Sequence, residues 1–530
     1  MFVILPIVFA LAGVALLVTH RRYKASKTSE APRVVVKGHT FSESIETTPT
    51  SELRRSTVEN VRLCCIVGAG RVGAITGIVL ASHNPDIQFC IVDSNERVIQ
   101  AWKSDSLPLS EPGLEDVFFD DQCLKVQGSD EPPTAEQSSS KDMLLVDSVH
   151  RRRKLSNLTF STNVHAGVAA ADLIFLCLDM ETGAFSNDSS PNTTYLNPTL
   201  RSIAHASTGH KVIVQRTAAP YGATQYIKAQ LKTIASPSAT FTVLANPDFT
   251  IPGSTLAGTV HPQRVIIGHI YAAETSTEGI TALKRLYTPW VEPERIVTMD
   301  AWSAELGRIV SRASIAQQGA SLGAVRMVCE RTEASAGNVG WMLGCGDMGE
   351  GGEMGLGIGL GWLRDDVRCF MDVARRLGMV EVVGYWEGVL KMDEVQCRRA
   401  IGEILKVLEE TESEQRTVTV VGAEGQDMAV VLRELRRTGA TVKVWDGCAS
   451  KGHAQQRLGG LDSDREGITV ADSLEAACAG SGAVVLQGSC RVGDEVWQTV
   501  AEQMEEPKVL CDIVGGVDRV KMRQLGFKVL

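Results

Sequence analysis

Short apolar runs of four to six residues, rich in β-branched side chains, recur along the chain with helix-forming stretches between them. Runs of this kind read as buried strands, and their alternation with helices predicts parallel sheets covered on both faces. The first is Arg62–Val67 (RLCCIV), followed by a helical stretch of small and apolar residues, Ala74–Ser82, and a second strand at Gln88–Val92 (QFCIV). Leu173–Leu178, Lys211–Val214, Thr242–Ala245 and Arg264–Ile267 continue the pattern and carry the sheet to about residue 285. Helix formers dominate from Ala301 to about Ile404, broken by a glycine-dense run, Gly344–Gly361. After a charged segment, Glu409–Arg416, the alternation restarts with strand Val418–Val421, Gly422, a helix to Thr438 and strand Thr441–Trp445. Later strands are expected at Ala483–Leu486 and Lys508–Cys511. The fold class is α/β, with two doubly wound domains joined by a helical one.

The first nineteen residues, Met1–Thr19, stand apart because they carry no charged side chain and are almost all apolar. A helix of that length spans roughly 28 Å, close to the hydrocarbon thickness of a bilayer. His20-Arg21-Arg22-Tyr23-Lys24 follows at once, and the positive-inside rule then places the N-terminus outside and the main body in the cytosol. This predicts a single-pass signal-anchor and a membrane association through the N-terminal helix. A cleaved signal peptide competes, without a basic n-region or a clear cleavage site, and a misassigned start is the third reading. The expected organisation is 1–19 anchor, 20–59 linker, 60–300 first α/β domain with a polar insertion at about 120–154, 301–405 central helical domain, and 406–530 second α/β domain.

Composition narrows the classes. The 530 residues are 44% hydrophobic and 22% charged, ordinary for a globular protein. Acidic residues outnumber basic by 63 to 53, a net charge of -10 that argues against nucleic-acid binding, which needs a concentrated basic surface. Thirteen cysteines, odd in number and without a CxxC pair, suggest neither a disulfide framework nor a metal site and suit a reducing compartment. Three Asn-x-Ser/Thr sequons, at Asn157, Asn187 and Asn192, would suit a lumen instead.

The most specific motif is GAGRVG, Gly68 to Gly73, placed between the first strand and the helix, with Asp93 closing the second strand. Gly68 allows a tight turn, Gly70 lets the backbone approach a pyrophosphate, and Gly73 permits close packing of helix on strand. The N-terminus of the helix, built through Ala69, Arg71 and Val72, offers N–H groups and partial positive charge to phosphates. Asp93 is placed to accept ribose hydroxyls, which favours NAD over NADP. The alternative is a glycine turn that merely packs.

Longer stretches then resemble a known family. CIVGAGRVGAITGIVLA, VDSNERVIQAW (Val92–Trp102), LPLSEPGLEDV (Leu107–Val117), FSTNVHAGVAAADLIFLCL (Phe160–Leu178), HPQRVIIG (His261–Gly268) and WVEPERIVTMDAWSAEL (Trp290–Leu306) are similar to eukaryotic UDP-glucose 6-dehydrogenases of the UDP-glucose/GDP-mannose dehydrogenase family. YWEGVLKMDEVQCRR (Tyr385–Arg399) and the C-terminal region extend the likeness from about residue 60 to 530. The resemblance implies two Rossmann-like domains, a central dimerising region that includes Trp302–Ala324, and NAD-dependent two-step oxidation of UDP-glucose to UDP-glucuronate. It also implies a cysteine nucleophile that holds the aldehyde, assisted by lysine, asparagine, glutamate, threonine and aspartate.

Carried over position by position, the cofactor motif stands and the chemistry does not. The family's cysteine loop matches GIGLGWLRDD, Gly357–Asp366, which keeps Asp366 but puts Trp362 at the nucleophile. Cys345 and Cys369 are the neighbouring thiols in sequence. In ELGRIVSRAS the lysine becomes Arg308 and the asparagine Arg312, and arginine does not act as a base at neutral pH. In QRTAAP the threonine becomes Ala218; in NPDFTIPG the first glutamate is shortened to Asp248 and the second becomes Pro252. A substrate-binding lysine segment shrinks to Gly422–Asp427, and the arginine of a C-terminal motif is lost in Asp512–Gly515. Arg308 and Arg312 could attract an anionic sugar nucleotide, or face solvent or pair with nearby acids.

Three readings remain open on these residues: an NAD-binding pseudoenzyme or regulator; a fully active dehydrogenase with a relocated thiol; and a dehydrogenase of altered substrate or single oxidation. The expected partners are UDP-glucose or a related UDP-sugar, and a second copy in a homodimer or larger assembly, or an active homologue in a hetero-oligomer.

Overall fold

The computed structural model describes residues 61–343 and 361–530, apart from 106, 110, 121–151, 179–192, 217, 251–253, 271–276, 411–415, 423–426, 446–467, 487–493 and 513–516. The expected anchor Met1–Thr19, the linker, most of the insertion, Pro252 and Cys345 lie outside these residues. Among the described residues no helix is long and apolar enough to cross a membrane.

The first sheet has eight strands: β1 (Leu63–Val67), β2 (Gln88–Val92), β3 (Leu158–Ser161), β4 (Leu173–Leu176), β5 (Gly209–Gln215), β6 (Ala239–Ala245), β7 (Val265–His269) and β8 (Ile296–Asp300). Their spatial order is β3-β2-β1-β4-β5-β6-β7-β8. All neighbours are parallel except β6 and β7. The order reverses at β1, between β2 and β4, which leaves a crevice beyond the carboxyl ends of β1 and β4. Val67 lies level with both Val92 and Leu176, so the three strands end at one height there.

Helix α1 (Arg71–His83) packs into this sheet along almost its whole length, with Gly73 through Ala81 buried. Small side chains allow it: a Cβ added at Gly77 would lie 2.7 Å from the Ile91 side chain. The helix begins at Arg71, three residues before the expected Ala74, because the glycine turn itself supplies its first turn. Strands β5 and β6 are longer than their apolar cores suggested, since they pair from Gly209 with Ala239 to Gln215 with Ala245. Strands β3 and β8 give little sequence signal, and β8 carries the sheet past the expected limit near 285.

Helix α2 (Glu96–Lys103) follows β2, α3 (Ala223–Ile234) follows β5, and α4 (Thr277–Tyr287) precedes β8. A long helix, α5 (Ala301–Cys329), leaves β8 directly, capped by Asp300, whose Oδ1 accepts the Ser303 N–H at 2.7 Å. Ala313, Ala316 and Ala320 of α5 share one apolar core with Leu363, Val367 and Met371 of α6 (Gly361–Arg376) and with Val383 and Trp386 of α7 (Val380–Glu410). From Val325 on, the end of α5 and a short helix, Ala336–Met342, fall in a separate compact unit.

The second sheet has six parallel strands: β9 (Thr417–Val421), β10 (Thr441–Trp445), β11 (Ile468–Val470), β12 (Ala483–Leu486), β13 (Val509–Asp512) and β14 (Lys528–Val529). Their order, β11-β10-β9-β12-β13-β14, repeats that of the first six strands of the first sheet. The two first turns also match. The Gly68 N–H donates to Val92 O at 2.8 Å and the Gly422 N–H to Trp445 O at 3.0 Å, each glycine having positive φ. Beyond the turn the sequences part: Glu424 and Asp427 stand two and five residues after Gly422, where Gly70 and Gly73 follow Gly68. The expectation of two Rossmann-like α/β sheets with helices between them agrees with this architecture.

Candidate functional site

The crevice at β1 is built from backbone. Gly68 has φ +108°, and a Cβ there would lie 2.2 Å from the carbonyl oxygen of Cys177, just past β4. A Cβ on Gly73 would lie 2.0 Å from the Gly68 carbonyl oxygen. No side chain but hydrogen therefore fits either position, and the turn Ala69, Gly70, Arg71, Val72 is pinned across the strand ends. Trp102, buried on α2 and stacked on Phe160 at 5.6 Å, donates its Nε1–H to Ala69 O at 2.9 Å and holds the turn from outside. Asp93 receives the Ala69 N–H on Oδ2 at 3.0 Å and the Asn95 N–H on Oδ1 at 2.8 Å. Arg71 lies 3.9 Å from Glu111, whose other oxygen accepts the Thr255 N–H at 3.0 Å.

These residues fit a dinucleotide. No side chain caps α1 and none of its own first-turn residues is acidic, so its partial positive charge is not offset from within the helix. Asp93 is part-exposed, and its two oxygens have lone pairs beyond those taken by two N–H groups.

At the carboxyl ends of β5 and β6 lies a second, quite different arrangement. Arg216 follows β5 and is buried; it donates Nε–H to Thr76 Oγ1 at 2.8 Å, Nη1–H to Asn246 Oδ1 at 2.8 Å and Nη2–H to Asp248 Oδ1 at 3.3 Å. Thr76 sits on α1, three residues past Gly73, so this network is tied to the helix of the glycine turn. The Tyr287 hydroxyl, at the end of α4, donates to Asn246 Oδ1 at 2.6 Å. Burial opposes the charge on Arg216, but Tyr287 and Asp248 outweigh it and hold the guanidinium above its ordinary value. The Tyr287 phenol is pushed up by burial.

The cluster continues onto the helices. Asp248 Oδ2 accepts the Thr250 hydroxyl at 2.7 Å and lies 3.8 Å from Arg312, which also donates to Thr250 O at 2.9 Å. Arg308, one turn earlier on α5, pairs with Asp366 of α6 at 3.0 Å, and Arg312 reaches the other oxygen of Asp366 at 3.7 Å. Burial and the like charge of Arg308 lower Arg312 from its ordinary value, though an arginine remains a cation. The structure thus brings Asp248, Arg308, Arg312 and Asp366 together, and of the alternatives raised for the two arginines it is pairing with acids that it shows. Glu305, on the same helix, turns elsewhere: it accepts the Gly222 and Thr224 N–H groups, both at 2.7 Å, and caps α3.

Ala218 stands two residues past Arg216 and brings no polar group to the site. Trp362 falls in the first turn of α6, four residues before Asp366, and its side chain is outside the described residues. Cys369, one turn past Asp366, is buried, and desolvation together with Asp366 drives its thiol well up. The sequence reading missed Arg216, Asn246 and Tyr287 as members of the cluster. The one available signal was a charged residue set directly after the apolar run of β5.

Known proteins are similar to this chain in sequence and fold. The model of the UDP-glucose/GDP-mannose dehydrogenase family NAD-binding domain matches residues 62–139 and 134–291. A UDP-glucose 6-dehydrogenase of Caenorhabditis elegans is 28% identical over 484 residues, covering 87% of this chain and 93% of its own. UDP-glucose 6-dehydrogenase 1 of Oryza sativa is 27% identical, covering 88% and 96%. Among solved structures, a UDP-glucose dehydrogenase from Pyrobaculum islandicum superposes with a TM-score of 0.63 at 19% identity, covering 91% of this chain and 98% of its own, a likeness of fold.

Proposed function

We start from the membership of residues 62–291 in the UDP-glucose/GDP-mannose dehydrogenase family, and propose that this chain binds NAD and a nucleotide sugar without carrying out the two-step oxidation of a sugar alcohol to an acid. The observation that carries the reading is the ion-paired cluster. That oxidation needs a base for the alcohol proton and a nucleophile to hold the aldehyde. Where the family resemblance puts a lysine and an asparagine, this chain has Arg308 and Arg312, both committed to Asp366. A guanidinium holds its proton at neutral pH and so cannot accept one.

Among the described residues a reactive thiol beside Asp366 is wanting as well. Trp362 occupies the position of the nucleophile, and an indole forms no thiohemiacetal. Cys369 is buried with its thiol driven up, which leaves almost no thiolate to attack a carbonyl. The cofactor half of the site keeps its parts: the turn at Gly68–Gly73 positions N–H groups for a pyrophosphate, and Asp93 orients a ribose. When bound, NAD supplies a hydride-accepting ring.

Calorimetry of the full chain with NAD, and NADH absorbance in the presence of NAD and UDP-glucose, test both halves. Saturable NAD binding without NADH formation is expected. Trp362→Cys combined with Arg308→Lys and Arg312→Asn is the variant expected to gain NADH formation. Turnover by the unaltered chain overturns the catalytic half; failure to bind NAD overturns the cofactor half.

A further inference from the structure

Arg71 is the one charged residue in the glycine turn GAGRVG, and it is also the first residue of α1. Cα–Cβ bonds in a helix tilt toward its N-terminus, so the side chain of a first helical residue leaves toward the helix end. Here that end borders the crevice at β1. The guanidinium is held there by an acid. Its Nε lies 3.9 Å from Oε1 of Glu111, the distance of an ion pair rather than of a hydrogen bond. The Glu111 side chain is fully buried, against 19% exposure for Arg71, so the acid is the inner member of the pair and the cation the outer one.

Glu111 is itself fixed, because its Oε2 accepts the Thr255 N–H at 3.0 Å. Arg71 therefore starts from a backbone pinned by Gly68 and Gly73 and ends beside a carboxylate pinned by main chain. A side chain ordered at both ends loses less conformational freedom when a ligand arrives. The ligand expected here is strongly anionic. The end of α1 supplies roughly half a positive charge, which is less than the negative charge of a dinucleotide's two phosphates. Asp93, bonded to the Ala69 N–H of the same turn, adds a carboxylate. A full positive charge at Arg71 offsets both, and its planar fork carries several N–H donors.

We propose that the Arg71 guanidinium binds the pyrophosphate of the dinucleotide, and that Glu111 is the positioning residue that holds it at the turn. The proposal rests on the reading above that the chain binds NAD, and adds a side-chain contact to the backbone contacts of the turn. Hydrogen bonds from a guanidinium to phosphate oxygens are charge-assisted and about twice as strong as neutral ones. The pair with Glu111 persists in the complex, since the fork can face a carboxylate on one edge and a phosphate on another. Glu111 touches no phosphate; it acts only through Arg71.

Titration calorimetry of the full chain with NAD, ADP-ribose and adenosine tests this. Arg71→Gln is expected to weaken NAD and ADP-ribose about tenfold or more and to leave adenosine, which has no phosphate, unchanged. Added salt is expected to weaken NAD binding more in the parent chain than in the variant. Arg71→Gln also takes the cation away from a buried acid, so the deciding variant joins it to Glu111→Gln. That double variant is expected to melt with the parent chain while binding NAD no better than Arg71→Gln. Parent-like NAD affinity in the double variant overturns the proposal and leaves Arg71 as a shield for Glu111. Parent-like NAD affinity in Arg71→Gln, or an equal loss for adenosine, overturns it too, and each leaves the proposed function standing. If the unaltered chain binds no NAD, the cofactor half of that function fails and this proposal with it.

Discussion

The carboxyl edge of the first sheet has two halves built by different means. Around β1 and β2 most of what matters is backbone: two glycines that admit no Cβ, an N–H of Ala69 fixed by Asp93, and a helix end that no side chain caps. Around β5 and β6 everything is side-chain charge: three arginines and two aspartates contributed by two strand ends and two helices. The first kind of site tolerates little change, because substitution collides with main chain. The second can change its chemistry while the fold stays the same, as long as each buried charge finds a partner. The contrast fits the proposal above, in which the cofactor motif keeps the pattern of the family resemblance and the charged positions depart from it.

Breaking the charged half is expected to have the largest effect. Asp366→Ala strands Arg308 and leaves Arg312 without one of its two acids, and should cost about 3–5 kcal/mol in chemical denaturation. Replacing Arg308 and Asp366 together by methionine and leucine should recover most of that loss, since it removes both charges. If the single and double variants are equally unstable, pairing is not what the cluster contributes.

Breaking the backbone half comes next. Gly73→Ala pushes a methyl to 2.0 Å from a main-chain oxygen and should destabilise by about 3 kcal/mol, with NAD binding lost in calorimetry. Near-normal NAD affinity in that variant would show that the turn only packs.

A smaller effect is expected where the halves meet the helix that carries both arginines. Asp300→Ala removes the cap of α5 and should cost about 1 kcal/mol at neutral pH. The Ser303 N–H holds the Asp300 carboxyl below its ordinary value, so its contribution is present above the ordinary carboxylate range and is lost as pH falls through the lowered value. Melting curves of parent and variant should therefore converge in acid; a gap that persists there would deny the cap its charge.

The smallest response is expected from Cys369. Buried and driven up, its thiol should resist alkylation at mildly alkaline pH in the native protein and react only on unfolding, as read by peptide mass spectrometry. Rapid native labelling would restore it as a candidate nucleophile.

Much of the fold was legible because its central strands are buried on both faces. The strands Gln88–Val92, Thr441–Trp445 and Ala483–Leu486 are found where the apolar runs placed them. Strands β3 and β8 sit at the two edges of the sheet, half-exposed, and an edge strand needs no continuous apolar run. The antiparallel turn of β7 against β6 likewise left no trace in composition.

The amino-acid sequence by itself determined the glycine turn, the acid at the end of β2 and the presence of Arg308, Arg312 and Trp362 where the resemblance leads one to expect lysine, asparagine and cysteine, because each is a matter of residue identity at a fixed spacing. Only the tertiary structure decided what the new residues do. Arg216, Asp248, Arg308 and Asp366 are spread over 150 positions of chain, and whether a buried arginine is free or paired depends on which strand end and which helix face it, a distance no local pattern encodes.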